Sequence, residues 1–469
     1  MSVADLLAAR SASDAPFLVD ALTGHERTFA QVAQRARRWG WYLDERAARR
    51  VAVILPNSLD FAELYLGAAL AGVTLCPLNP ALAPAAAAAA TARLGADLLL
   101  TTTSRGSDFA GLPTATVGST GGLPGDLPAS GPDFGPVPPD REIALILTSG
   151  TTGGLKACRV THGNVCWTSA CTAAAFGFTP GTRYLTPLPL YHINAQVVGL
   201  LAALQAGSAV ILGPRLPAAR LWEAAARTGA TAMSAVPAIV FDLLESPGEP
   251  PPALEYVVCS SAPLPGSARK RFEARFGIPL RVSYGLTEAG CFVSYGCSGG
   301  PPGNVGKPHG CEVRVGDGGE LLVRGAGVFA GYLDDPPATA AALRDGWLHT
   351  GDLGRLEGGY LVLDGRLKDL INRGGEKVSP DAVEAVLLEC PGVREVAVFG
   401  VPDPRLGEEV AAAVVGSATD DELWDFCAAR LGEFETPRTW HHVEALPRGA
   451  TGKVLRRVLR EEAAQCRKQ

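Results

Sequence analysis

Short apolar runs of strand length recur along the first 260 residues, separated by segments with helical character. The runs are Val51–Leu55, Val73–Pro77, Leu98–Thr101, Ile143–Leu147, Ala209–Leu212 and Tyr256–Cys259. Ser58–Ala71 and Ala83–Leu94 read as helices between them. Alanine favours helix through the 85–90 stretch, and Pro84 falls where a first helical turn tolerates proline. Continuous apolar runs mark strands covered on both faces, so this alternation predicts an α/β core with largely parallel sheets.

The pattern changes along the chain. Gly106–Asp140 is rich in Gly, Pro, Ser and Asp and reads as an irregular surface connection. From about Gly310, short β segments with glycine turns follow one another: Glu312–Val315, Glu320–Arg324 and Tyr360–Asp364. These predict a small antiparallel unit. Beyond Lys368 come a helix over Pro380–Leu388, a strand over Val393–Val401 and a basic helix over Val454–Lys468, the makings of a separate α+β domain. A length of 469 residues accommodates about three such units.

Composition removes several functional classes. The net charge of −6 speaks against a general nucleic-acid or anionic-membrane binder. The eleven cysteines form no CxxC pair and are odd in number, which predicts free thiols in a reducing cytoplasm rather than a disulfide framework or zinc site. The N-terminus has no basic segment leading into an apolar one, so no secretory signal is expected. The one membrane suspect, Ile193–Leu212, contains Asn194, Gln196 and Gln205 and is broken at Ala206-Gly207-Ser208. It reads as a buried helix running into a strand. The expectation is a cytoplasmic protein with no membrane partner.

The segment richest in chemistry is Ile146-Leu-Thr-Ser-Gly-Thr-Thr-Gly-Gly-Leu-Lys156. Glycines let backbone N–H groups approach a polyphosphate, while hydroxyls and Lys156 add donors and charge. It is not the GxxxxGK[ST] loop, because Leu155 stands at the second glycine and Ala157 follows the lysine. In order downstream come Thr161-His-Gly-Asn164, Pro187-Leu-Pro-Leu-Tyr-His192, Ser260-Ser-Ala-Pro-Leu264, Tyr284-Gly-Leu-Thr-Glu288 and Val305-Gly-Lys-Pro308. They continue with Gly331-Tyr332, Gly346-Trp-Leu-His-Thr-Gly-Asp352, Gly365-Arg-Leu-Lys-Asp369, Gly374-Gly-Glu376 and Pro447–Lys453. With these motifs in this order, the chain resembles the adenylate-forming superfamily of acyl-CoA synthetases, luciferases and peptide-synthetase adenylation domains.

The resemblance implies a large N-terminal region, residues 1–366, of two α/β subdomains plus a small β-barrel-like unit. A small mobile α+β cap, residues 367–469, would follow it. ATP and Mg²⁺ are the implied cofactors. Thr148, Ser149, Gly150, Thr151, Thr152, Gly153 and Lys156 would grip the phosphates, with Thr287 contacting a phosphate. Glu288 and Thr151 would hold the metal, for which hard oxygen ligands are suited. Ser260, Ser261, Ala262 and Pro263 with Tyr284 and Gly285 would frame the adenine, and Asp352 and Arg366 the ribose. Lys453 would bridge the substrate carboxylate and the α-phosphate, aligning attack and offsetting repulsion. Lys368 and Asp369 would form a hinge, and Gly374, Gly375 and Glu376 the loop presented to the accepting thiol. His162 would support the phosphate loop.

The substrate is argued from departures. Amino-acid-activating domains place an Asp after the central proline motif, whereas this chain has His192-Ile-Asn-Ala-Gln-Val197; it also has Leu286 where they have proline. A small carboxylic acid without a free α-amino group follows. His192, Asn194, Gln196, Met233, Ser283, Gly290 and Cys291 are its candidate lining, with the small residues near Gly290 leaving room for a ring. His192 would gate the acyl pocket or thiol tunnel. CoA is the expected acceptor. The alternatives are the phosphopantetheine of an acyl carrier protein, a nitrogen nucleophile, or a catalytically silent binding relative. Leu155 and Ala157, where the family has proline and glycine, alter loop stiffness without removing a ligand.

Overall fold

The apolar runs become strands of two largely parallel sheets. The structure is a computed structural model that describes residues 1–102, 105, 109, 113–117, 131–149, 155–214, 216–296, 299–301, 303–448 and 454–466, apart from the side chains of 149, 155 and 464–466. One sheet has six strands in the order Thr114–Val117, Leu98–Thr102, Arg50–Ile54, Thr74–Pro77, Glu142–Ser149 and Leu155–Thr161, parallel except for the last. The other has nine. Its centre is six parallel strands: Leu280–Tyr284, Tyr256–Cys259, Ala232–Ala235, Arg183–Leu185, Ala209–Leu212 and Pro16–Asp20. Three of these, Tyr256–Cys259, Ala232–Ala235 and Ala209–Leu212, bury every residue, as does Thr74–Pro77 of the first sheet, which is why their sequences are mostly apolar.

The local signals account for the helices. Ser58 Oγ accepts from the Phe61 backbone N–H at the start of Leu59–Ala71, and Gly72 closes that helix in the left-handed region. Pro84 opens Pro84–Leu94. The membrane suspect is a buried π-helix, Ala195–Leu201, then Ala202–Ala206, a left-handed Gly207 and the strand Ala209–Leu212. No helix among the described residues is long and apolar enough to cross a membrane. Helices Phe29–Asp44 and Leu59–Ala71 meet at two glycines. A β-carbon on Gly67 would stand 2.5 Å from the Ala36 carbonyl oxygen. Beside this contact, Arg27 and Arg35 bind Asp60 and the wholly buried Glu63 at 2.6–3.2 Å.

One strand was not expected. Gly106–Asp140 contains the strand Thr114–Val117, which adds to the sheet edge beside Leu98–Thr102. Four residues among glycines and prolines carry too little apolar pattern to be recognised. Downstream, the expected antiparallel unit is a five-stranded sheet that includes Glu312–Val315, Glu320–Arg324, Trp347–Glu357 and Tyr360–Arg366. Sheet membership then changes across the single turn Leu367–Asp369. Ile371–Arg373 starts another antiparallel-rich sheet, whose long hairpin is Val393–Asp403 with Gly407–Gly416. The second arm of that hairpin and the helix Asp420–Ala428 escaped the sequence reading. The last described helix is Arg456–Cys466, starting two residues later than expected.

His162 is tied to the N-terminal segment. It begins helix His162–Phe176, is fully buried, and its Nδ1 accepts from the Val3 backbone N–H at 3.2 Å. It therefore anchors the N-terminal helix. Burial, aided by the Arg141 charge, pushes its pKa down to about 4. An unfolded histidine takes a proton near 6.5, so the folded state is penalised progressively as pH falls from about 6.5 to about 4. Urea unfolding should show the wild type losing roughly 3 kcal/mol more than His162→Gln between pH 7.5 and 4. Equal losses would refute this role.

Candidate active site

The functional segments leave the carboxyl ends of the parallel strands, where open α/β sheets place their ligand crevice. Ser260 follows Tyr256–Cys259, and Tyr284 ends Leu280–Tyr284. Ser261, Ala262 and Pro263 form an exposed turn, with Ser261 held at φ +74°. Gly285 is demanded by a close approach, since a β-carbon there would stand 1.8 Å from the Cys291 carbonyl oxygen.

Asp352 and Arg366 are cross-strand partners in the small antiparallel sheet. Asp352 is 4% exposed. Its Oδ1 pairs with Arg366 Nε at 2.7 Å, and its Oδ2 accepts from the Tyr284 hydroxyl at 2.7 Å. Its backbone N–H donates to Thr350 Oγ1 at 3.0 Å. Burial, reinforced by the Asp352 charge, raises the Tyr284 phenol well above its ordinary value and keeps it a donor. The carboxylate expected at the ribose is therefore fixed on both oxygens by two other predicted site residues.

A second cluster surrounds the end of the phosphate loop. Thr148 and Lys156 face each other across an antiparallel pair. Gly150, Thr151, Thr152 and Gly153 lie outside the described residues, as does the Ser149 side chain. Thr148 Oγ1 is 3.8 Å from Cys158 Sγ. Glu288 sits on the single turn Thr287–Ala289, and its Oε1 accepts from the Tyr332 hydroxyl at 2.9 Å. Lys156 Nζ is 4.8 Å from the centre of the Tyr332 ring. Burial, then the neighbouring Glu288, raises the Cys158 thiol well above its ordinary value, so it stays protonated. Cys158 and Tyr332 were not foreseen as site members; the Gly331-Tyr332 motif was the available signal for the latter.

The proposed acid pocket is only partly assembled. Asn194 Nδ2 donates to Ser260 Oγ at 3.1 Å, and the same side chain opposes the rise of the nearby Cys291 thiol's pKa. Burial pushes that thiol up to about 12. His192, against Tyr191 at 4.4 Å between ring centres, is half-buried near the start of this segment. Ser283 is half-buried and paired with Tyr295.

Three lining expectations need correction. Gln196 is turned into the core, its Nε2 donating to the Leu190 carbonyl at 2.8 Å, so its amide serves the backbone. Met233 packs with Leu185, Val257 and Phe272 in the core, on the strand face opposite to Ser234, whose hydroxyl donates to Thr186 Oγ1. Gly290 opens no room for a ring: a β-carbon there would meet Thr168 Oγ1 at 2.6 Å and the Gly327 carbonyl oxygen at 2.7 Å.

Lys368, Asp369, Gly374, Gly375 and Glu376 lie in or beside the C-terminal sheet. Gly374 and Gly375, both at positive φ, make the exposed turn that ends in Glu376. Lys368 and Asp369 occupy the connecting turn, with Asp369 Oδ2 3.5 Å from Arg456 Nη1. Lys453 lies outside the described residues. The nine cysteines with described side chains are free thiols.

A model of the AMP-binding enzyme family matches residues 7–333, and one of the AMP-binding enzyme C-terminal domain matches residues 382–453. The sulfoacetate–CoA ligase of Cupriavidus necator is 35% identical, over 97% of this chain and 96% of its own. Among solved structures, ATP-bound MatB from Rhodopseudomonas palustris superposes with a TM-score of 0.89 at 28% identity, covering 98% of this chain and 99% of the other. The o-succinylbenzoate coenzyme A synthetase of Bacillus subtilis, in complex with ATP and magnesium, gives 0.87 at 27% identity, covering 96% and 98%. The chain belongs to the AMP-binding enzyme family, on its acid–thiol ligase branch.

Proposed function

We propose that this enzyme activates a small carboxylic acid without a free α-amino group. The acid's carboxylate attacks the α-phosphate of ATP, pyrophosphate leaves, and the acyl group passes from the adenylate to the thiol of CoA. The observation that carries this reading is the meeting of two groups of residues around one set of strand ends. Asp352, Arg366 and Tyr284 form a fixed carboxylate site, and Asn194, Ser260 and Cys291 form a small polar site without a charged group. A substrate ammonium would call for a carboxylate in the second group. Its three members are an amide, a hydroxyl and a protonated thiol.

The residues fit their assigned tasks. Asp352 has two acceptor oxygens for the two ribose hydroxyls. Glu288 with Thr148 offers hard oxygen donors beside Lys156. One carboxylate supplemented by nucleotide phosphates is how Mg²⁺ is commonly held, and Thr151 is the second proposed protein ligand. The bound cation would offset charge on the phosphates as pyrophosphate leaves. Lys453 would align the two anions, and residues 367–469 would turn about Lys368 to exchange that lysine for the Gly374-Gly375 loop.

A panel of acids in ATP–pyrophosphate exchange, with amino acids included, tests the substrate class. Exchange with small non-amino acids and none with their α-amino counterparts is expected; the reverse preference would refute it. Mass spectrometry with CoA and with a phosphopantetheinylated carrier protein then decides the acceptor. An acyl-CoA product supports the proposal, and acylation of the carrier protein alone overturns that part.

A further inference from the structure

Tyr332 is joined to the phosphate end by backbone as well as side chain. An antiparallel bridge sets it opposite Cys158, on the strand that carries Lys156. Leu333 N–H donates to the Ala157 carbonyl at 2.8 Å, and Arg159 N–H to the Gly331 carbonyl at 2.9 Å. The turn holding Glu288 is tied to the same segment, with Phe329 N–H donating to the Glu288 carbonyl at 2.9 Å. Gly331 permits the approach: its φ is +115°, and a β-carbon there would meet Thr339 at 2.7 Å. The Tyr332 hydroxyl consequently has a fixed direction, toward Glu288 Oε1, while its ring lies near Lys156 Nζ.

We propose that Tyr332 is a positioning residue that orients the Glu288 carboxylate for the cation accompanying ATP and guides Lys156 by its ring. This rests on the assignment of Glu288 as a metal ligand. A free carboxylate rotates and is hydrated. A donor fixed by a backbone ladder restricts it to one orientation before nucleotide arrives, which lowers the ordering cost of binding the metal. The Tyr332 side chain meets Glu288, Lys156 and Phe329, so its influence should fall on the nucleotide rather than the acid.

The test uses binding, without turnover. Titrating a fluorescent ATP analogue in EDTA and at increasing Mg²⁺ gives the Mg²⁺ concentration for half-maximal enhancement of affinity. Tyr332→Phe keeps the ring and should raise that midpoint about 10-fold, as loss of a hydrogen bond to a charged acceptor would. Affinity in EDTA should not change. Tyr332→Leu should in addition weaken binding in EDTA about three-fold, through loss of the Lys156–ring contact. In a Glu288→Gln background, Tyr332→Phe should have no further effect on the Mg²⁺ response.

An unchanged midpoint in Tyr332→Phe, alongside a defective Glu288→Gln, overturns the proposal alone. Equal weakening with and without Mg²⁺ also overturns it, since that marks a packing role. Full Mg²⁺ enhancement in Glu288→Gln overturns the metal assignment and the proposal together. Should Tyr332→Phe not fold, 3-fluorotyrosine at position 332 replaces it. This stronger donor should lower the Mg²⁺ midpoint, and an unchanged or raised midpoint counts against the proposal.

Discussion

Asp352→Ala is expected to raise the KM for ATP by at least about 100-fold, because two charge-assisted hydrogen bonds of about 1.5–3 kcal/mol each are lost. The same change leaves Arg366 and the buried Tyr284 hydroxyl without their shared partner. The thermal midpoint should therefore fall as well, and a KM change alone would be ambiguous. Asp352→Asn separates the two effects. The amide can still accept from Tyr284 and preserves shape, but its NH2 then faces the Arg366 Nε donor, so the midpoint should recover only in part. ATP binding should recover only in part, since carboxylate acceptors make the stronger bonds. Calorimetric ATP titration with a melting curve on each variant checks this. Wild-type ATP affinity in Asp352→Asn would remove the ribose role from this residue.

Lys453→Ala is expected to lower ATP–pyrophosphate exchange by about 10²–10³-fold, the usual effect of losing one preorganised group that stabilises developing charge. ATP affinity should change only a few-fold, because the proposed contact forms between the reacting carboxylate and the α-phosphate. Transfer from a chemically prepared acyl adenylate to CoA should be spared, since in the proposed scheme Lys453 has withdrawn by then. Single-turnover measurement of both half-reactions gives the comparison. Equal loss of both steps would contradict a role confined to adenylation.

The sequence carried the sheets far better than it carried the pocket, for a physical reason. Strands such as Ala209–Leu212 and Tyr256–Cys259 are covered on both faces, so burial is written into every residue. The edge strand Thr114–Val117 has only one residue buried, and its neighbours are turn formers. Motif positions such as Asp352 and Glu288 could be assigned because their chemistry is tied to a local pattern. Pocket membership depends on which way a side chain points. Met233 and Ser234 are neighbours on opposite strand faces, and nothing in their local sequence says which face meets the ligand. Gln196 and Asn194 look alike in sequence, yet one bonds the backbone of its own segment and the other bonds Ser260, 66 residues away. Tyr332 was visible as a motif, but its contact with Glu288 spans 44 residues and needed the fold.

The proposed reaction divides ATP between its α- and β-phosphates. The most direct measurement follows the nucleotide products while the purified enzyme turns over a small carboxylic acid with CoA. AMP and pyrophosphate should form in equal amounts with the acyl-CoA, and pyrophosphate exchange should proceed with acid alone. Formation of ADP and phosphate, or no acid-dependent exchange across the panel, would contradict it.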